Sequence, residues 1–557
     1  VQHYVIRTSF DTPRKTVNGE VAVTLKPLSG GFKSFELDAA SMKIEKVSLA
    51  SGQTLRSFQQ GEKLFITLDR AYEPTDSITV IISYRAKPRR GLYFVQSSNN
   101  GGLHRPAQIW SQGEPEDNHH WFPCYDFPDD KATSEQYITT GAGELAIANG
   151  TLVETTNNTG GTRTFHWQMN QPHSTYLISL IVGDYARLTD SYKNIPLEYY
   201  TYRGTEMIAS RAFGKTPAMI SLFSQKLDYE FPYDKYAQTI VGNFTFGGME
   251  NITATTYADS EILNVADDEP DATVENLVSH ELAHSWFGNL VTCRDWSHLW
   301  LNEGFATFME AVFRERQDGR EVYLEEMRSN MLSYFSEDPS SKHHPLVNPR
   351  YPLSMELFDE TTYKKGAYVI HMLRETVGDE MFWKALNVYL NEHKFASVES
   401  RDLQRVFEKT SGQQLEWFFE QWVYKAGYPE LRVRSSYNAA QRHLTLSVTQ
   451  TQKPDVVTPA VFRFPVEIEI VTASGPRTER VEINQRAQTL TFQLDSKPLM
   501  ITFDKRASVL KKLNFPQARA MAAYLLVDGA NPSATQAAKA LLKQIEWQGK
   551  SDVEIKQ

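Results

Sequence analysis

Through about residue 188, apolar and polar positions alternate in short runs broken by turns, as in VAVTL at 21–25, LFITL at 64–68 and ITVIISY at 78–84. A period of two sends successive side chains to opposite faces of a strand, so these runs predict half-buried sheets. Asn157-Asn158-Thr159-Gly160-Gly161 reads as a hairpin connection. Near 189 the period changes. A strand-like IPLEYYTY precedes a helical pattern over 208–229, and strands are expected around 237–258. Amphipathic helices are then predicted over 272–288, 298–317, 320–335, 363–377 and 380–393, with aromatic-rich helices closing the region at 400–426. After Gly427-Tyr428-Pro429 the alternation returns in LRVRSSY, HLTLSVT, VFRFPVEIEIV and LTFQL, which predicts a small β-sandwich ending near 505. Beyond it the chain turns alanine- and leucine-rich, with room for two helices. The pattern predicts a multidomain α+β chain: an amino-terminal β domain over 1–188, a β-then-α region over 189–428, a β-sandwich over 429–505 and a short helical segment over 506–557.

Composition narrows the class. Of 557 residues, 41% are hydrophobic and 23% charged, the balance of an ordinary globular protein. No apolar run nears the roughly 18 residues that a membrane helix needs, so no spanning segment is expected. The net charge of −10 comes with no basic stripe or tail, which argues against a nucleic-acid partner. Cys124 and Cys293 are the only cysteines. Neither has a second cysteine at ligand spacing, so buried, unreactive thiols are expected rather than a disulfide framework. The opening residues VQHYVIRTSF read as a strand and not as a signal peptide; a chain starting at Val1 fits processing, and export (periplasmic or extracellular) is favoured over the cytoplasm.

The chemistry concentrates in one run, HELAHSWFGNLVTCRDWSHLWLNE, from His280 to Glu303. His280 and His284 lie four apart, about one helical turn, so both imidazoles leave the same face and can bind one metal. Glu281 sits beside them, placed to take a proton from a metal-activated water without itself being a ligand. Eighteen residues separate His284 from Glu303, and a second packed helix can bring that carboxylate in as third ligand. Two histidines and one glutamate leave a fourth position for water, the donor set of a hydrolytic rather than a structural zinc site. A solvated pair of histidines is the bland alternative. Leu277, Val278, Leu282, Trp286, Phe287 and Leu290 make the run too apolar for it. One zinc ion per chain is expected.

The segment resembles the zinc-binding consensus of the gluzincin aminopeptidases, the group containing aminopeptidase N and the leukotriene-hydrolase-type enzymes. Four further matches follow the family's order. Gly247-Gly248-Met249-Glu250-Asn251 resembles the exopeptidase motif G-x-M-E-N, and Tyr363-Lys364-Lys365-Gly366-Ala367 the Tyr-x-Lys-Gly-Ala segment. Trp121-Phe122-Pro123-Cys124-Tyr125-Asp126 resembles the F-P-C-x-D block, and Gln112 stands twelve residues before that cysteine, as a substrate-binding glutamine does in relatives. The resemblance runs from the amino-terminal region through at least residue 430.

What the resemblance implies is specific. The 189–428 region should be a thermolysin-like zinc catalytic domain. Tyr363 should stabilise the oxyanion, and Glu250, helped by Gln112, should read a substrate's free α-ammonium group. Gly247 and Gly248 should let the backbone approach the substrate, and Met249 should line the first side-chain pocket. An acidic surface agrees with a cleft that attracts cationic amino termini. Asn302, Asp295 and Glu310 are candidates for orienting the histidines, and Lys364 and Lys365 for positioning charges. The expected activity is hydrolysis of the amino-terminal residue from peptides, by a monomer. Relatives often carry a large helical domain after the sandwich. Here it is reduced, absent or cut within its repeats, so the arginine that holds short substrates there has no counterpart to assign. Phe358 stands where the leukotriene-hydrolase branch has a second tyrosine, which argues against epoxide hydrolysis. A thermolysin-like endopeptidase and a non-catalytic peptide-binding protein on the same fold are the rival readings.

Overall fold

The computed structural model describes residues 1–100, 103–263, 272–338, 343–518, 520–522 and 538–539. They form two compact units, Val1–Trp296 with Tyr389–Glu399, and Ser297–Val388 with the chain from Ser400 on.

The first unit begins with the β-rich part that the alternation predicts. Seven strands form one sheet, with neighbours in the order 151–157, 162–173, 132–141, 3–11, 16–25, 78–86 and 42–49. A three-stranded sheet (Phe32–Asp38, Lys63–Tyr72, Arg56–Gln60) and a four-stranded one (Leu145–Ala148, Leu180–Gly183, Gln108–Ser111, Leu92–Val95) share its core. Val21, Val23, Val80 and Ile82 are buried at alternate positions, as a period of two requires. Asn157 and Thr162 flank the predicted hairpin, whose strands pair antiparallel.

A mixed five-stranded sheet follows in the same unit, in the order Ala186–Tyr192, Ile195–Thr201, Tyr236–Val241, Ala254–Ala258, Gly248–Met249. Every residue of Tyr236–Val241 and Ala254–Ala258 is buried, the signature of strands covered on both faces. Gly248–Met249 is the edge strand, paired antiparallel to Thr256 and Tyr257. Helices Glu206–Phe213, Thr216–Leu227 and Ala272–Ala283 belong to this layer.

The second unit holds the long helices Trp300–Asp318, Arg320–Glu337 and Gly366–Val377, then Ser400–Ser411 and Glu416–Trp422. Its sandwich has a four-stranded sheet (Ala487–Gln493, His443–Gln450, Glu430–Asn438, Lys512–Asn514) and a three-stranded one (Gly475–Ile483, Phe464–Thr472, Met500–Phe503). The Tyr368 hydroxyl donates to Ala507 O at 2.6 Å and ties the helix Gly366–Val377 to that sandwich. The strand Lys512–Asn514 pairs parallel to Glu430–Arg432, so sandwich structure runs past the expected limit at 505. Helix starts again at 516, and most of the predicted helical tail lies outside the described residues.

Cys124 and Cys293 are both buried and form no disulfide, and burial pushes the Cys124 thiol well up, away from the reactive thiolate. Among the described residues no helix is long and apolar enough to cross a membrane.

Candidate active site

The helix Ala272–Ala283 buries Val274, Val278 and Leu282, and it presents His280 and Glu281 from its last turn. It stops five residues short of the predicted 288. Past Ala283 the bonds tighten to three-residue spacing (Ser285 N–H to Leu282 O, Trp286 N–H to Ala283 O), and Gly288 turns the chain at a φ of 124°. His284 keeps helical spacing nonetheless, its N–H donating to His280 O at 3.3 Å. The two imidazoles stand 4.9 Å apart between ring centroids. His284 Nδ1 lies 2.9 Å from Phe287 O. A carbonyl only accepts, so Nδ1 carries the proton and Nε2 is left with its lone pair, the tautomer a metal needs.

The edge strand Gly248–Met249 lies against this helix, and Glu250 follows it. A Cβ on Gly248 would collide with the Glu281 carboxylate, and one on Gly247 would press on Leu277 at 3.3 Å. Glu250 is 3% exposed. Its Oε1 accepts from the Tyr176 hydroxyl at 3.4 Å and lies 3.9 Å from His284 Nδ1. One donor atom each from Glu250, Glu281 and His284 lies within 4.8 Å of the other two. The Gln112 side-chain N–H donates to the Met249 sulfur at 3.1 Å. Its carbonyl oxygen, Oε1, is buried with no partner among the described residues. Such an acceptor costs about 1–3 kcal/mol unless a ligand or water completes it. Burial raises the phenol pKa of Tyr257 well above its ordinary value, and the nearby Glu281 charge adds to the shift.

Three further residues support the site. Asn289 donates its N–H to His284 O at 2.9 Å and its side-chain amide to Glu250 O at 2.9 Å, joining the histidine turn to the glutamate strand. Lys131 Nζ donates to Asn289 O and Leu290 O, both at 3.0 Å, and burial lowers its pKa to about 7. Tyr176 lies 74 residues from Glu250 along the chain. Only Asn289 left a sequence signal, by its place inside the run from His280 to Glu303.

In the second unit Glu303 and Asn302 are buried in the first turn of Trp300–Asp318. Tyr363 is partly exposed in one wide helical turn, Thr361–Lys365, which leads into Gly366–Val377. Such wide turns recur at functional positions. Asp359 anchors this turn: its Oδ1 accepts from Thr362 N–H at 3.0 Å, its backbone oxygen from Tyr363 N–H at 3.1 Å, and its Oδ2 lies 2.8 Å from His344 Nε2. A Cβ on Gly304 would meet Gly366 backbone at 3.0 Å, so two glycines let the Glu303 helix and the Tyr363 segment approach. Lys365 is fully buried beside Lys425 O and the Tyr334 ring. Burial lowers its pKa to about 8, although Asp338 and Asp359 pull it back. Lys364, Asp295 and Glu310 are half-buried.

Residues 1–177 match the peptidase M1 N-terminal domain, residues 211–422 the peptidase family M1 domain, and residues 427–509 a domain of unknown function with an Ig-like fold. A probable aminopeptidase 1 from Sulfurisphaera tokodaii is 27% identical over 504 residues, which are 87% of this chain and 59% of that protein. Aminopeptidase M1 of Arabidopsis thaliana is 31% identical over 355 residues, 61% of this chain and 39% of that one. The chain therefore spans 59% or less of the length of these two relatives. The crystal structure of Legionella pneumophila aminopeptidase A in complex with aspartic acid aligns with a TM-score of 0.80 over 97% of this chain and 62% of its own. At 18% identity this likeness shows a shared fold.

Proposed function

Since the chain belongs to the peptidase M1 family, we propose that it is a zinc-dependent aminopeptidase that removes the amino-terminal residue of peptides. The observation that carries this reading is the buried cluster of Glu250, Glu281 and His284, with the unpartnered Gln112 oxygen held beside Met249.

In this reading His280, His284 and Glu303 hold the metal. The spacing of the three supports that assignment, and so does the His284 tautomer, which leaves Nε2 free as a donor. Two imidazoles and a carboxylate suit zinc. When bound, the ion supplies Lewis acidity that polarises the scissile carbonyl and acidifies the attacking water. Glu281 accepts the water's proton at its carboxylate and passes it to the leaving amine. The Tyr363 hydroxyl donates to the oxyanion that develops on the carbonyl oxygen as water attacks the carbon. Glu250 and Gln112 Oε1 accept from the substrate's α-ammonium group, so the charged end of the peptide sets the register of cleavage. Among the described residues Gly248–Met249 is the last strand of its sheet, and an extended substrate can add along it as a further strand. Met249 lines the first side-chain pocket.

Mass spectrometry of an unblocked peptide during digestion tests the reading. Successive loss of single residues from the amino end is expected. Internal fragments as first products would overturn it in favour of endopeptidase action.

A further inference from the structure

A second group of side chains with metal-ligand chemistry lies in the β-rich part of the first unit, on other elements than the helix Ala272–Ala283. We propose that Glu62, His119 and His120 form a further divalent-metal site, one that takes zinc or a similar borderline cation. One donor atom from each lies within 4.8 Å of the other two.

The backbone under this group is fixed from both sides. Glu62 sits on the turn between the strands Arg56–Gln60 and Lys63–Tyr72, and the histidines occupy the short turn Asn118–His120. Ala39 N–H donates to Glu62 O at 2.7 Å, and the next residue, Ala40, donates to His119 O at 2.9 Å. Two consecutive amides therefore hold both ligand-bearing turns in place.

The imidazoles are oriented as ligands. His119 Nδ1 lies 2.8 Å from Asp126 Oδ2, a carboxylate that is almost wholly buried. That carboxylate accepts a hydrogen bond from Nδ1–H and turns Nε2 toward Glu62, whose Oε2 is 3.7 Å away. A carboxylate behind a histidine in this way raises the basicity of the ligating nitrogen. His120 Nε2 accepts from Arg90 Nε at 3.3 Å, which assigns the proton to Nδ1, facing Ser41 Oγ at 3.4 Å. Glu62, Asp38, Asp117 and Asp126 surround the group, against Arg90 and Lys63.

Arg90 is the group that a metal must displace. Its guanidinium is more than half exposed and already lies 3.4 Å from Asp117 Oδ1, so it has an alternative partner when it leaves His120. Two imidazole nitrogens and one carboxylate oxygen leave a fourth position for water, a donor set suited to zinc.

Metal titration of the full chain tests this, read by competition with a chromogenic chelator and by Co(II) absorption in the visible. Glu62→Gln alters an exposed side chain, and the fold should survive it. The expected result is one equivalent fewer in Glu62→Gln and in His120→Gln than in the unchanged chain. Arg90→Ala should bind that equivalent several-fold more tightly, because its competitor is gone. Equal stoichiometry in the unchanged chain, Glu62→Gln and His120→Gln would overturn the proposal, as would weaker binding in Arg90→Ala.

Discussion

A Cβ on Gly248 would run into Glu281 Oε1 and its carboxyl carbon. The second glycine of the exopeptidase motif thus leaves room for the proposed general base. The colliding atoms are the end of a flexible side chain, so Gly248→Ala should displace Glu281 rather than unfold the protein. Misplacing a catalytic group by about 1 Å can cost roughly 10²-fold in rate. The expected outcome is a fall in kcat of that order with a nearly unchanged melting temperature. A matched loss of both would show that the glycine serves packing.

Gly366 is the contrasting case. A Cβ there would lie 3.0 Å from Gly304 Cα, and a backbone cannot swing aside as a carboxylate can. Gly366→Ala should cost about 1–3 kcal/mol of stability, the usual toll of overpacking. Denaturant unfolding checks this. An unchanged midpoint would mean that the two segments separate at no cost.

Lys131 makes stability depend on pH. Burial lowers its pKa from 10.5 to about 7, so between those values the unfolded chain holds a proton that the folded chain lacks. Stability from this group therefore rises with pH, by up to about 1.4 kcal/mol per unit. The burial penalty is fully present below pH 7 and fades toward 10.5. Melting temperatures from about pH 7 to 9.5 should rise less in Lys131→Met than in the unchanged protein. Equal slopes would contradict this account of Lys131.

Tyr363 is proposed to act through its hydroxyl alone. Tyr363→Phe should lower kcat by about 10²–10³-fold, equivalent to about 2.7–4 kcal/mol, with little change in KM. Because the ring is only partly buried, thermal stability should barely move. Loss of stability without loss of rate would assign the residue to packing.

Much of this was legible in the sequence because periodicity and motif spacing are local. Val21, Val23, Val80 and Ile82 are buried as alternation predicts, and His280 and His284 share a helical face because four residues make about one turn. Contacts across long stretches of chain were not legible. Tyr176 reaches Glu250 over 74 residues, and no pattern encodes that. The wide turn at Thr361–Lys365 hides inside a helical pattern because its apolar positions continue into Gly366–Val377. The motif implies that Gly247 and Gly248 serve substrate approach, and the structure adds a neighbour to each, Leu277 and Glu281.

The most direct test of the central claim compares one aminoacyl fluorogenic substrate with its amino-acetylated form, in the unchanged protein and in Glu250→Ala. If Glu250 reads the α-ammonium group, acetylation leaves a buried carboxylate facing a neutral amide. That costs on the order of 2–5 kcal/mol, or a few tens-fold to a few thousand-fold in kcat/KM. Glu250→Ala should erase most of this preference by slowing the free-amine substrate and barely changing the blocked one. Equal kcat/KM for both substrates in the unchanged protein would contradict the account and point to an endopeptidase.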